Sequence, residues 1–254
     1  MIPKIDPATY ASAKLNCLSH IAKTSNDIKT KLTPKQLAMF RKTIFSHLLD
    51  VDLVFNGPLL GTKVSFGRRE FDIISGLKYS RSPVRKITYP QRHGTLYFNN
   101  STDLLLSELE KMYTSIRFED DIDAVKVLVY FVELVLLGRE RSTKFDHILL
   151  GIVDDWEACC NHDWALLSFD KTIYSLQRGA SNKSKEGGLR KSYSLYGFPW
   201  AFQVWAYEII SSLSGHIVTI VSQDVVPRIL QWRYEHSTAY HMLAREIFRS
   251  STVS

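Results

Sequence analysis

The sequence predicts a mainly α protein: an irregular multi-helix domain with a short strand or small sheet near residues 63–66. Three observations carry that prediction. Apolar residues recur at helical spacing in most of the chain, as in Leu37, Phe40, Ile44 and Leu48. Helix start and stop signals are frequent, with Thr33-Pro34-Lys35-Gln36 a capping box and Gly76 and Gly138 placed as terminators. Strand-like alternation is short, with Lys63-Val64-Ser65-Phe66 the one stretch that shows it.

Composition narrows the class further. The 254 residues are 45% hydrophobic and 23% charged, which excludes disordered and fibrous architectures. Three cysteines are too few for a secreted disulfide scaffold and point to a reducing compartment. The first residues carry no secretory pattern, and the apolar stretch Ile122–Leu137 is too short and too charged (Asp123, Lys126, Glu133) to span a bilayer. No membrane association is expected, and the expected location is nuclear or cytoplasmic. The net charge of +6 is mildly basic, compatible with a polyanionic neighbour but no proof of one.

In chain order, Ala11, Leu15, Leu18 and Ala22 predict a helix from Ala8 to about Lys23, and residues 1–30 read as an N-terminal helical extension. Residues 31–254 read as a single helical domain. Within it, the capping box opens a helix with Leu37, Phe40, Ile44 and Leu48 on one face. Asn56-Gly57-Pro58 breaks the chain before the short strand. Arg69–Ile74 is a short helix with Phe71 and Ile74 inward, and Tyr79–Asn100 an extended basic connection. Thr102-Asp103 caps a helix bearing Leu104, Leu105, Leu109 and Met112. The acids Glu119 to Asp121 then precede the apolar helix, with Val127, Val129, Phe131, Leu134 and Leu137 expected inside and Trp205 packed near it. Phe145–Val153 is another helix, and Ser168 caps one running to Gln177. Residues 178–192 form a basic flexible linker, with five cations (Arg178, Lys183, Lys185, Arg190, Lys191) against Glu186. Gly197-Phe198-Pro199 opens an aromatic helix, and Pro227 begins a last one.

Three constellations bear on chemistry. Cys159-Cys160-Asn161-His162-Asp163-Trp164 brings a thiol and an imidazole close in sequence, but catalytic Cys and His normally meet across a fold. Two packing cysteines and a loop histidine are the preferred reading, and the missing second ligand pair argues against a metal. The acids Asp154, Asp155 and Glu157, like those at 119–123, read as caps and solvated faces. The aromatics Tyr193, Tyr196, Phe198, Trp200, Phe202, Trp205, Tyr207, Trp232, Tyr234 and Tyr240 lie among Lys191, Arg228 and Arg233, and core packing is preferred over base stacking for them. No catalytic, cofactor-binding or metal residue is assigned, and no cofactor or small-molecule ligand is expected.

Four ordered stretches also resemble a known family. Phe66-Gly67-Arg68-Arg69-Glu70-Phe71-Asp72-Ile73-Ile74-Ser75-Gly76-Leu77 is similar to the FxxxEFxxxTGL core of a plant domain of unknown function. Ala124–Gly138, Trp164–Leu176 and Tyr193–Ala206 agree with it in order and content, from about Lys31 to about Leu213. The stretch between Asn56 and Lys63 is shorter than in family members.

The resemblance implies a domain carried by plant mobile-element proteins, N-terminal to a ubiquitin-like-modifier (Ulp, SUMO-type) cysteine peptidase. That peptidase resembles a His-Trp motif, a downstream Asp and a Gln ahead of Cys-Gly. Here His162-Asp163-Trp164 and Asp170 are present, but Cys-Gly is not, and no cysteine follows Cys160. The expectation is a non-catalytic accessory or interaction domain, with a peptidase domain or a SUMO-pathway protein as partner. A cysteine peptidase using Cys159 or Cys160, and a weak non-specific nucleic-acid-binding module acting through the basic linker, remain the alternatives.

Overall fold

The longest apolar stretch of the sequence ends in a π turn, and much of the fold is built around that end. The computed structural model describes residues 14–55, 66–77, 95–97, 103–118, 120–126, 128–179, 192–210, 213–215 and 217–235. Ahead of the central stretch lie β1 (Lys14–Cys17), α1 (Ile21–Lys31), α2 (Pro34–Phe40), α3 (Arg68–Ser75) and α4 (Leu106–Ser115). The stretch itself comprises α5 (Asp121–Lys126) and α6 (Leu128–Phe131), then the π turn Val132–Leu136. After it come α7 (His147–Asp154), α8 (Trp156–Asn161), α9 (Trp164–Gly179), β2 (Ser192–Leu195), α10 (Pro199–Ile209), β3 (Val218–Ile220) and β4 (Trp232–Tyr234). The mainly α expectation holds.

A helix end leaves its last carbonyls without intrahelical donors, and a buried end must find them elsewhere. Residues 128–137 are all buried, so water is not available to do this. Four donors arrive from three separate segments. The His20 amide reaches Leu134 O (3.0 Å) and the Gly197 amide reaches Leu137 O (2.7 Å). The Ser19 hydroxyl donates to Val135 O (2.6 Å) and the Ser168 hydroxyl to Leu136 O (2.8 Å). Glu133, fully buried on this turn, is neutralised by Arg139, whose Nη1 lies 3.0 Å from both carboxylate oxygens, and accepts the Asp146 amide at 2.9 Å. Gly197 has to be glycine: at φ +79° a Cβ would stand 2.3 Å from Thr172 Oγ1.

Around this end, rings fill the core. Phe131 meets Phe40 and Phe45, and Trp164 meets Phe45. On the α3 side, Phe71 meets Phe169 and Phe198, while Phe66 meets Phe202 and Trp205. The described part of the aromatic series is therefore core: Phe198, Trp200, Phe202, Trp205, Tyr207 and Trp232 are buried, with Tyr193, Tyr196 and Tyr234 half-buried, while Tyr240 lies outside the described residues. Trp205 stacks with Phe66 and Phe202 on the α3 side, whereas Trp200 reaches toward the π turn through Ser19.

Local signals set several elements as expected. Thr33 and Gln36 form the reciprocal capping box of α2, and α3 stops at Gly76 in the left-handed conformation (φ 70°) with Phe71 and Ile74 buried. Val129, Phe131, Leu134 and Leu137 are buried as expected, while Val127 lies outside the described residues.

Other elements differ. Of the helix expected over Ala8–Lys23, residues 14–17 are instead β1, which pairs in parallel with β2 in the register Lys14↔Ser192 to Cys17↔Leu195, and only Ile21 to Lys23 are helical, as the start of α1. Strand pairing across the fold has overridden local spacing. The apolar face Leu37–Leu48 is not one helix. α2 ends at Phe40, and Ser46–Asp50 forms a 3-10 turn that buries Leu48 and Leu49. Ser168 lies inside α9 rather than capping it, because its hydroxyl is spent on the π turn and Asp163 takes the cap. The helix after Asp103 starts at Leu106, where the Glu108 carboxylate accepts the Leu105 amide. After Pro227 a 3-10 turn (Arg228–Gln231) leads into β4, which pairs antiparallel with β3. The two sheets among the described residues are therefore β1–β2 and β3–β4. Residues 63–65, the connection 79–100 apart from 95–97, and linker residues 180–191 lie outside the described residues.

Candidate functional site

The chemistry-bearing residues converge where the first turn of α3 meets the start of α9. α3 begins with the Gly67 amide donating to Glu70 Oε2 (3.1 Å). Arg68, the first residue of α3, pairs with Asp72 at the i,i+4 spacing (Nε to Oδ1, 2.5 Å). Its other arm reaches Asp163, 95 residues away (Nη2 to Oδ1, 2.7 Å). Asp163 in turn accepts the Leu166 amide at 2.8 Å and so caps α9. One guanidinium therefore holds two carboxylates and ties two helices together.

Electrostatics follow from that arrangement. Burial pushes the Asp72 carboxyl above its ordinary range, the Arg68 charge pulling the other way and Asp163 adding to the rise. Burial works against the Arg68 charge, but the two carboxylates outweigh it and its pKa rises. His162 is pushed down by burial, with Asp163 opposing. Its ring lies against Trp164, centroids 4.4 Å apart.

The cysteines sit on α8, just before this junction. Cys159 is 1% exposed and its carbonyl accepts the Trp164 indole N–H at 2.8 Å, while the Cys160 side chain is exposed. The sequence cluster thus stays together, but around Trp164 rather than around a thiol. Asp163, the acid a Cys–His–Asp relay would need for orienting the imidazole, instead accepts from both Arg68 and the Leu166 amide through its Oδ1. Among the described residues, no group of three or more His, Cys, Asp or Glu is placed to hold a metal ion. No described helix is long and apolar enough to cross a membrane.

The acid runs are structural where they are described. Asp120 accepts the Asp123 amide and Asp155 accepts the Ala158 amide, both as helix caps. Asp123, expected on a solvated face, is fully buried and accepts the Tyr97 hydroxyl at 2.7 Å. Sequence reasoning missed the reach of Arg68 to Asp163. Only the Arg68/Asp72 spacing signalled an ion pair there.

Both members of this junction fall in one segment. Residues 57–175 match a domain of unknown function, DUF1985. The matched segment is just under half the chain and holds the first two resembling stretches and all but the last residue of the third; the fourth, Tyr193–Ala206, lies beyond it. No curated protein and no solved structure matches the chain.

Proposed function

We propose that the chain is a non-catalytic interaction module, an accessory domain of a plant mobile-element-derived Ulp-like cysteine peptidase protein. The observation that carries the reading is the use made of the one Cys/His/Asp cluster. Asp163 is tied to Arg68 and to the α9 amide, His162 packs on Trp164, and Cys159 is buried. A nucleophilic thiol needs a base and an orienting acid aligned to serve it, and here the acid ties α3 to α9 while the imidazole packs on an indole. The four resembling stretches supply the link to Ulp-like proteins and to a peptidase domain or SUMO-pathway protein as partner.

A SUMO-derived vinyl-sulfone probe incubated with the purified chain tests this. No covalent adduct is expected over the time in which an active Ulp-type peptidase labels fully. An adduct lost in Cys160→Ala or Cys159→Ala would establish the peptidase reading instead.

A further inference from the structure

We propose that the exposed side of α9 at its C-terminal end is a stacking platform for single-stranded nucleic acid, formed by Lys171, Tyr174, Arg178 and the neighbouring Tyr196. This inference is independent of the interaction role argued above. Lys171, Tyr174 and Arg178 follow the i, i+3, i+7 spacing that places side chains on one helix face. Tyr174 is 56% exposed, a large flat ring left in water although most of the described aromatics are buried. The Arg178 guanidinium lies over it, 5.4 Å from the ring centroid, with Nη1 donating to the hydroxyl at 3.2 Å. One turn away, Lys171 Nζ stands 5.9 Å from the centroid of Tyr196. Tyr196 is fixed in place by two bonds: the Ser175 hydroxyl donates to its carbonyl (2.9 Å), and its own hydroxyl donates to Glu140 (2.7 Å).

Two ring-and-cation pairs on one face supply what an unpaired strand needs, a π surface for a base and a charge for the adjoining phosphate. Charge is in keeping with the same occupant: Lys171 and Arg178 are both exposed on this face, and the chain carries a net +6. A duplex hides its base faces and gains nothing from Tyr174, so the exposed ring selects the single strand.

The test is fluorescence anisotropy of a labelled 20-nucleotide oligo(dT) with the full chain at 25 mM and 200 mM NaCl. Binding is expected at low salt, falling steeply at high salt. Tyr174→Ala should weaken it by about tenfold, and Tyr174→Trp should restore it. Lys171→Glu with Arg178→Glu should weaken it too and flatten the salt dependence by a log–log slope of about 1.4, the loss expected for two phosphate contacts on a single strand. All these side chains are exposed, so melting temperatures should hold and report intact folding. No binding at 25 mM NaCl, variants that bind as wild type, or polyglutamate or a 20-base-pair duplex binding as tightly as oligo(dT) would each overturn the proposal.

Discussion

The segment matched to DUF1985 and the two flanks around it contribute different things to one core. The segment supplies the central buried helix, its π turn and the Arg68 junction. The flanks supply most of what satisfies that helix. Of the four donors to the π-turn carbonyls, Ser168 lies within residues 57–175, while Ser19, His20 and Gly197 lie outside. Both strands of the β1–β2 pair, and the Phe40 and Phe45 rings against Phe131, are also outside. The matched stretch is thus smaller than the set of residues that builds the core.

The strongest way to break this comparison is to cut along it. A chain reduced to 57–175 loses three of the carbonyl partners, and each buried polar group left unpaired costs about 1–3 kcal/mol. That sum approaches the whole net stability of an ordinary domain, about 5–15 kcal/mol, before any lost apolar burial is counted. The truncated segment should show no cooperative thermal unfolding by circular dichroism and poorly dispersed amide signals by NMR. A sharp melt with dispersed amides would make the segment a domain by itself.

Single substitutions on either side of the cut sharpen it. Phe131 lies inside the segment and Trp205 in the flank, and both are buried. Phe131→Ala and Trp205→Ala should each cost about 3–5 kcal/mol. If segment and flanks form one cooperative unit, both must shift the same single transition in denaturant. Two separate transitions, each moved by only one substitution, would show two independently folding parts.

What could be read in the sequence follows the range of the interaction. The α2 capping box, the Gly76 stop and the burial of Phe131 and Leu134 depend on neighbours within a few residues, and spacing reveals them. β1 was hidden because its partner is some 180 positions away, and a lone four-residue strand has no pattern strong enough to outvote helical spacing. Ser168 illustrates the same limit. A serine ahead of an apolar run looks like a cap, but this hydroxyl answers a carbonyl on another helix. At the junction, the cysteine and histidine were legible as packing groups. The clamp from Arg68 to Asp163 was not, since only folding brings the two together.

A histidine spans the boundary between flank and segment. His47, on the 3-10 turn Ser46–Asp50, donates from Nε2 to the Ser75 carbonyl at the end of α3 (2.7 Å). Burial holds its pKa below the ordinary 6.5, and burial does the same to His20 and His162. A folded-state pKa below the unfolded value means the unfolded chain binds protons more readily. The stability these groups contribute is therefore full above about pH 6.5 and is lost as pH falls through their lowered values. Melting temperature should decline between pH 7 and pH 5, with a shallower decline in His47→Gln than in wild type. Identical slopes would show that the drop comes from other groups.

The smallest effect is expected at the ion pair joining flank to segment on the surface. Lys35 on α2 lies 2.6 Å from Asp121 on α5, with 79% of its side chain in water. The carboxylate raises the lysine pKa and the ammonium lowers that of Asp121, so the pair is formed at neutral pH. Water and salt nevertheless screen it, and holding a long side chain in one rotamer offsets much of the attraction. α2 does not depend on it for its place, because Phe40 is buried against Phe131 and Gln36 Nε2 also donates to Asp121 (3.0 Å). Lys35→Ala should leave the melting temperature unchanged within error, and 0.5 M NaCl should not separate the variant from wild type. A clear destabilisation that vanishes in high salt would mean that the flank is held to the segment by charge, and that the buried contacts matter less than their geometry implies.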